Sequence, residues 1–228
     1  MRICLLLALT LTVYLSQAQN KQTIELLPGV TTLEALQSEV YLYPQFTEGI
    51  VAFKNGKSGK SKLNYFLLNK EMLFIDNRRD TLALTNEPEI EMLLIGLDTF
   101  YYNGQHFIKQ VSNYGWIKTA QLKSIKEIGR KQTGAYGETV TGAAVSLSSM
   151  QVSRLFVGLS NSEKIILQKE TKYYIGNEGN FFLPLTKTNV MKMIPRYKQE
   201  AANKYLKENT VDFNHIDQVT QMLAALGD

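Results

Sequence analysis

"EGIVAFKNGKSGKSKLNYFLLNKEMLFIDNRRDTLAL", residues 48–84, decides the fold class. Within it "GIVAFK", "KLNYFLL", "EMLFID" and "DTLAL" are short runs of branched and aromatic residues, parted by Asn, Gly, Lys and Asp. Such runs suit a pleated surface, and such separators suit turns. Lys54-Asn55-Gly56 is a turn candidate because Asn and Gly tolerate positive φ, and Asn103-Gly104 repeats the signal. Connections this short leave no room for crossover helices, so neighbouring strands are expected to be antiparallel. The alternation in "DTLAL" places Leu82 and Leu84 on one face, as in a strand with one wet side.

The same rhythm extends both ways. "VYLYPQF" precedes it, and "IEMLLIG", "DTFYY", "HFIKQV" and "WIKTAQL" follow, so strands are expected from Val40 to about Leu122. From Ser124 to about Ser149 the pattern breaks: large apolar residues thin out, and Gly129, Gly134, Gly137 and Gly142 appear among many Ser and Thr. This predicts a long Gly-rich loop at about 124–149, more exposed and less ordered than the strands beside it. Strands resume at "KIILQKE", "TKYYIG" and "NFFLPL", with Asn177 to Asn180 as a hairpin turn.

After Leu185 the period becomes helical. Pro195 ends one short helix and can open the next, in which Tyr197, Ala201 and Tyr205 share a stripe. The last helix is expected to start with Asn214 as N-cap and Asp217 at N3. Ile216, Val219, Met222, Leu223 and Leu226 form its apolar stripe, and Gly227 stops it. Helices this short need a surface to pack on. The expected fold is therefore mainly β, of α+β character. An antiparallel meander forms a small barrel or sandwich, and C-terminal helices pack on it.

The N-terminus reads as an export signal. Arg2 is a short positive n-region, Ile3 to Leu15 an apolar stretch, and Ser16-Gln17-Ala18 places small residues where a signal peptidase reads, with cleavage after Ala18. The apolar stretch falls short of the ~20 residues that span a bilayer. Four regions follow: a signal peptide at 1–18, a lead-in at 19–39, the β-rich domain at 40–185 and a helical segment at 186–228. Cys4 is the only cysteine, so the processed chain has no disulfide, no thiolate nucleophile and no cysteine metal ligand. Without Arg2 the chain has 24 basic and 21 acidic side chains, a net of +3. That permits anionic partners without the concentrated basicity of a nucleic-acid binder. The strand-like runs are mostly shorter than the ~9–11 residues of a membrane-spanning strand, so no membrane insertion is expected.

"EGIVAFKNG" through "KLNYFLLNKEMLFI", with "FFLPLTKTNVMKMIP" and "YLKENTVDFNHIDQVTQML" in the tail, resembles uncharacterised secreted bacterial proteins with a β-rich body and a short helical tail. The resemblance spans most of the processed chain. It implies an architecture and carries no activity or catalytic residue with it.

Little in the chain looks like catalytic machinery. "GRKQTGAY", residues 129–136, has the glycine spacing of a phosphate loop, but Ala135 and Tyr136 stand where Lys and Ser/Thr are required. No βαβ pattern surrounds it, and no nucleotide or other cofactor is expected. The stretch is either a mobile connection or a binding loop whose contacts are Arg130, Lys131 and Tyr136. His106 and His215, the only histidines, lack zinc-helix spacing and read as a strand residue near a turn and an exposed first-turn residue. No metal site is expected. "SLSSM" lacks the glycines of a nucleophile elbow. Glu87, Glu89 and Glu91 alternate, as a glycosidase pair could, yet Pro88 favours a solvated turn. "KNGKSGKSK", residues 54–62, could touch lipid phosphates or anionic glycans, but its simpler role is a soluble hairpin tip that blunts a sheet edge.

The expectation is an exported, non-catalytic envelope or secreted protein that binds a partner protein, a glycan or another surface component. The rival readings are a carboxylate-dependent hydrolase of extracellular polymers and a structural stabiliser of an envelope assembly. Two acidic side chains converging in a cleft would favour the hydrolase.

Overall fold

A computed structural model describes residues 22–27, 33–133, 139–141 and 163–227. The fold is mainly β, an antiparallel sheet with helices packed at one end. Its strands are β1 (Thr23–Leu26), β2 (Thr47–Phe53), β3 (Ser58–Phe66), β4 (Glu71–Ile75), β5 (Thr81–Ala83) and β6 (Ile90–Ile95). They continue with β7 (Asp98–Tyr102), β8 (Phe107–Asn113), β9 (Ile117–Thr133), β10 (Thr139–Thr141), β11 (Glu163–Asn177) and β12 (Phe182–Pro184). The helices are α1 (Leu33–Val40), α2 (Lys187–Met193), α3 (Arg196–Glu208) and α4 (Ile216–Ala225).

The pairing order is β1-β11-β9-β8-β7-β6-β2-β3-β4-β5, with β10 on β9 and β12 on β11. Two hairpin series, β2 to β5 and β6 to β9, are joined where β6 crosses back to pair with β2. The expected turns form: Gly56 at φ 80°, Gly104 at φ 95° and Asn180 at φ 60° occupy the left-handed region. The path ends on two edges, β1 and β5, so the sheet is not a closed barrel. It folds over a shared interior instead, and the amide of Ile125 in β9 donates to the carbonyl of Leu67 just past β3, at 3.0 Å.

That interior holds Leu26, Leu63, Tyr65, Leu68, Leu93, Ile95, Phe100, Ile108, Ile125 and Leu167. Gly49 is required there. A Cβ would lie 2.5 Å from the Leu94 carbonyl oxygen and 2.7 Å from Leu63 Cδ1. Buried Asn64 orders the chain after α1: its Oδ1 accepts from the amides of Tyr43 and Tyr65, and its Nδ2 donates to the Tyr43 carbonyl. Accepting and donating at once, it satisfies the backbone of a non-strand segment inside the core.

A second core sits at the far end of the β9–β11 ladder. Ile117 and Ile175 from the sheet meet Val190, Ile194, Ala202, Val219, Met222, Leu223 and Leu226 from the helices. Tyr114 Oη donates to the Thr220 carbonyl at 2.8 Å. Lys198 Nζ donates to the Leu226 carbonyl and lies over the Trp116 ring at 5.4 Å, placing a cation at the C-terminus of α4.

Several expectations are corrected. "VYLYPQF" is not a strand: Val40 ends α1, and the segment to Phe46 is bent, with one isolated bridge from Tyr41 to Phe66. β1 and α1 lie in the lead-in, where no element was expected. The Gly-rich loop does not begin at Ser124. β9 runs on to Thr133 because every residue of β11 has a partner in it, with Ser124, Ile125 and Glu127 buried. "KIILQKE" and "TKYYIG" are the two halves of that single strand β11. Leu82 is 43% exposed on the edge strand β5, which ends before the half-buried Leu84. In α3 the packed residues are Ala202, Tyr205 and Leu206, so Tyr205 packs as expected while Tyr197 and Ala201 are exposed. His215, not Asn214, occupies the N-cap of α4, and Asp212 Oδ1 accepts from the Asn214 amide at 2.9 Å. The expected stripe of α4 is buried at all five positions.

Candidate functional site

Two of the three expected binding residues lie on β9. Arg130 and Lys131 are backbone positions of β9, paired with Ile165 and Lys164 of β11, so they lie on a strand rather than a loop. Their side chains, Tyr136 and the stretch 1–18, expected to be a signal peptide, lie outside the described residues. Glu87 and Glu89 form a short 3-10 turn with Pro88, Glu91 is exposed on β6, and none of the three lines the clefts described below. "KNGKSGKSK" is a solvated β2–β3 hairpin.

His106 sits in the β7–β8 turn, where burial, then Lys70 and Lys172, hold its pKa below the ordinary value. His215 faces Asp212 at 3.4 Å on the surface. No cluster of His, Asp and Glu suited to a metal occurs among the described residues, and no described helix is long and apolar enough to cross a membrane.

Among the described residues, one concavity is a cleft of about 570 Å³ between the segment after α1 and the middle of the β9–β11 ladder. Register builds one wall. Antiparallel pairing sets Lys123 opposite Thr171, Ser124 opposite Glu170, and Lys126 opposite Gln168. The other wall is Ser38, Tyr41 and Leu42. It is anchored by the Leu42 amide donating to the Tyr65 carbonyl at 2.9 Å, and by Lys169 meeting Glu39 at 2.6 Å. Three lysines (Lys123, Lys126 and Lys169) line the cleft against one carboxylate, Glu170. Lys126 and Lys172 approach that carboxylate at 3.2 and 3.7 Å. Lys123 is exposed, with no carboxylate within ion-pairing distance among the described residues, so it is the cation free to meet a ligand.

The remaining lining is polar and aromatic: Gln22, Gln168, Thr171, Tyr41 and Tyr173. Burial raises the pKa of both tyrosines above the usual value, with Asp217 adding to the effect at Tyr173. Both therefore present neutral hydroxyls beside a flat ring.

Beneath the cleft, Leu42 and Lys123 also border a void of about 10 Å³ among Tyr65, Phe100, Phe107, Lys109 and Gln121, enough for a single water at most. Beside it Asp98 accepts from Tyr43 Oη at 2.6 Å and from Lys109 Nζ at 2.9 Å. Burial works to raise the Asp98 pKa, but Tyr43, Lys109 and then Lys123 hold it below the ordinary carboxyl value. Burial, and then Asp98, push the Tyr43 phenol far above the usual tyrosine range. A phenol so reluctant to ionise is a poor proton donor or nucleophile at neutral pH. The trio is a clasp that ties the post-α1 segment to β7.

A second cleft of about 540 Å³ lies between β11 and the tail, lined by Thr171 to Tyr174, Leu185, Phe213 and His215. The two meet at Thr171 and Tyr173.

The sequence reading included Lys126 only as part of a loop and missed Lys123, Lys169, Tyr41 and Tyr173. The signal was there in "LKSIK" and "QKETKYY", two strand segments rich in lysines and hydroxyls. It became legible only once pairing put them side by side. Comparison with known proteins found no matching family model, no similar curated protein and no similar solved structure.

Proposed function

We propose that this protein is an exported, non-catalytic binding protein, periplasmic or secreted, whose cleft captures an acidic glycan of the cell surface. The observation that carries the reading is the lining itself: three lysines against one already engaged carboxylate, with two neutral tyrosines, two glutamine amides and Ser and Thr hydroxyls. Lysines supply charge, amides and hydroxyls match sugar hydroxyls, and tyrosine rings offer a surface for sugar rings. The volume lies within the ~300–1,000 Å³ common for ligand sites. Nothing in the cleft favours the hydrolase: its single carboxylate is held between two ammonium groups, whereas hydrolysis needs a second acid across the gap.

Calorimetry with a short polygalacturonate oligomer, and a neutral cello-oligomer of equal length, tests the reading. The acidic oligomer should bind and the neutral one should not. Lys123→Glu should weaken binding about tenfold, and raising salt should weaken it further. Equal binding of both oligomers, or release of reducing ends on incubation, would overturn it.

A further inference from the structure

Building on the reading of the first cleft as a site for an acidic glycan, we infer that the second cleft continues the same groove and takes an uncharged, N-acetylated sugar. The ligand is then a chain in which an acidic sugar and an N-acetylated one are neighbours.

Continuity comes from β11. Thr171 and Tyr173 line both clefts, and the strand runs on from Gln168 in the first to Tyr174 in the second. Those six steps along the strand cover about 20 Å, the reach of a short run of sugars. Tyr173, half-buried at the junction, borders both sides. One chain lying along β11 therefore meets both linings.

The linings differ in charge. The first sets Lys123, Lys126 and Lys169 against Glu170. Among the described residues lining the second, Lys172 is the sole lysine, and it already faces Glu170 at 3.7 Å. His215 lies 3.4 Å from Asp212. Burial, and then the charge of nearby Asp217, raise the pKa of Tyr173. An acidic sugar in this cleft would find no uncommitted lysine and would come close to two carboxylates. An uncharged sugar avoids that repulsion.

The rest of the second lining calls for more than hydroxyls. Tyr174, Pro184, Leu185 and Phe213 give it apolar and aromatic surface, beside the exposed Asn214. Phe213 packs against the tail core, which steadies its ring. A plain hexose brings hydroxyl groups to such a surface. An acetamido group brings a methyl for the rings and an amide for Asn214. With its Nδ2 donating to Asp212 Oδ1 at 2.9 Å, Asn214 offers its own Oδ1 to the acetamido N–H.

Amide chemical shifts and calorimetry on the processed chain test the inference. The probes are a hyaluronan tetramer, in which glucuronate alternates with N-acetylglucosamine, and a polygalacturonate tetramer. Both should move the amide signals of Lys123 and Ser124. Only hyaluronan should move those of Tyr174 and Asn214, and it should bind at least about tenfold tighter although it carries half the carboxylates. Asn214→Ala, at an exposed position outside the first cleft, should remove most of that advantage and leave polygalacturonate binding unchanged. Equal affinities with shifts confined to the first cleft would overturn the inference and leave the acidic-glycan reading standing. Polygalacturonate that moves Tyr174 and Asn214 as far as hyaluronan does would also overturn it, since the second cleft would then accept an acid. Polygalacturonate that leaves Lys123 unmoved would strike the underlying reading, and the inference with it.

Discussion

The body and the tail are both cores, built by opposite means. In the body, side chains come from nearly every strand and from α1, and rings meet rings: Tyr65 lies 6.2 Å from Phe100, and Tyr41 lies 5.1 Å from Phe66. Every strand between the edges β1 and β5 has a neighbour on both sides, so none of these can leave without exposing the rest. In the tail, three helices bring mostly aliphatic residues to one end of a single ladder, and the sheet contributes only a small platform around Ile117 and Ile175. A core that draws on the whole chain fails as one unit. A core borrowed from one end of a ladder can melt and leave its platform standing.

The largest expected effect tests that contrast directly. Leu63→Ala removes a fully buried side chain from the middle of the body and should cost about 3–5 kcal/mol. It should shift the main denaturation transition of the whole protein. Leu223→Ala is equally buried in the tail and should cost about 2–4 kcal/mol, but locally. Tryptophan emission follows the tail because Trp116, the only tryptophan, packs there, while far-ultraviolet dichroism near 215 nm follows the sheet. Leu223→Ala should move the first signal to lower denaturant and leave the second in place. A single transition displaced equally by both variants would show that the two cores are one cooperative unit.

Gly49→Ala sharpens the picture of the body by filling rather than emptying. The new methyl meets a backbone carbonyl that has no rotamer to yield, so a loss of about 1–3 kcal/mol is expected, read as a lower midpoint with an unchanged slope. A neutral result would mean that β2 and β6 have more room than their separation implies.

Asp98→Asn should have the smallest effect, about 1 kcal/mol, because the carboxylate is part-exposed and its ion pair is screened. Its signature is pH dependence. A carboxyl with a folded pKa below its ordinary 3.8 stabilises the fold above that pH, and the contribution is lost as pH falls through the folded value. The gap between wild type and variant should therefore be full at pH 7 and shrink below about pH 3.8. A gap that persists unchanged at pH 2 would assign the clasp to shape rather than charge.

Body and tail also differed in how far the sequence revealed them. α4 was readable at all five apolar positions because a lone amphipathic helix has one face to bury, and periodicity states which. The short hairpins were readable from Asn-Gly turns, whose backbone demands are local. β9 and β11 were not. Their polar halves owe their strand conformation to each other, and "SIKEIGRKQT" has no apolar alternation to announce a partner some forty residues away. In α3 only Tyr205 of the expected stripe packs, because Tyr197 fits the period but lies at the rim, where Lys198 turns inward to Trp116. The cleft was the least legible part, since its lysines acquire meaning only through cross-strand register.

The pairing of β1 with β11 has a consequence for the order of events during synthesis. Leu26 leaves the ribosome about 140 residues before its partner Ile165, while the two strands of each hairpin emerge almost together. Bringing such distant ends together costs about 3 kcal/mol more loop entropy than closing a five-residue turn. The first described strand must thus wait for one of the last. Until β11 has emerged and zipped onto β9, β1 has no berth.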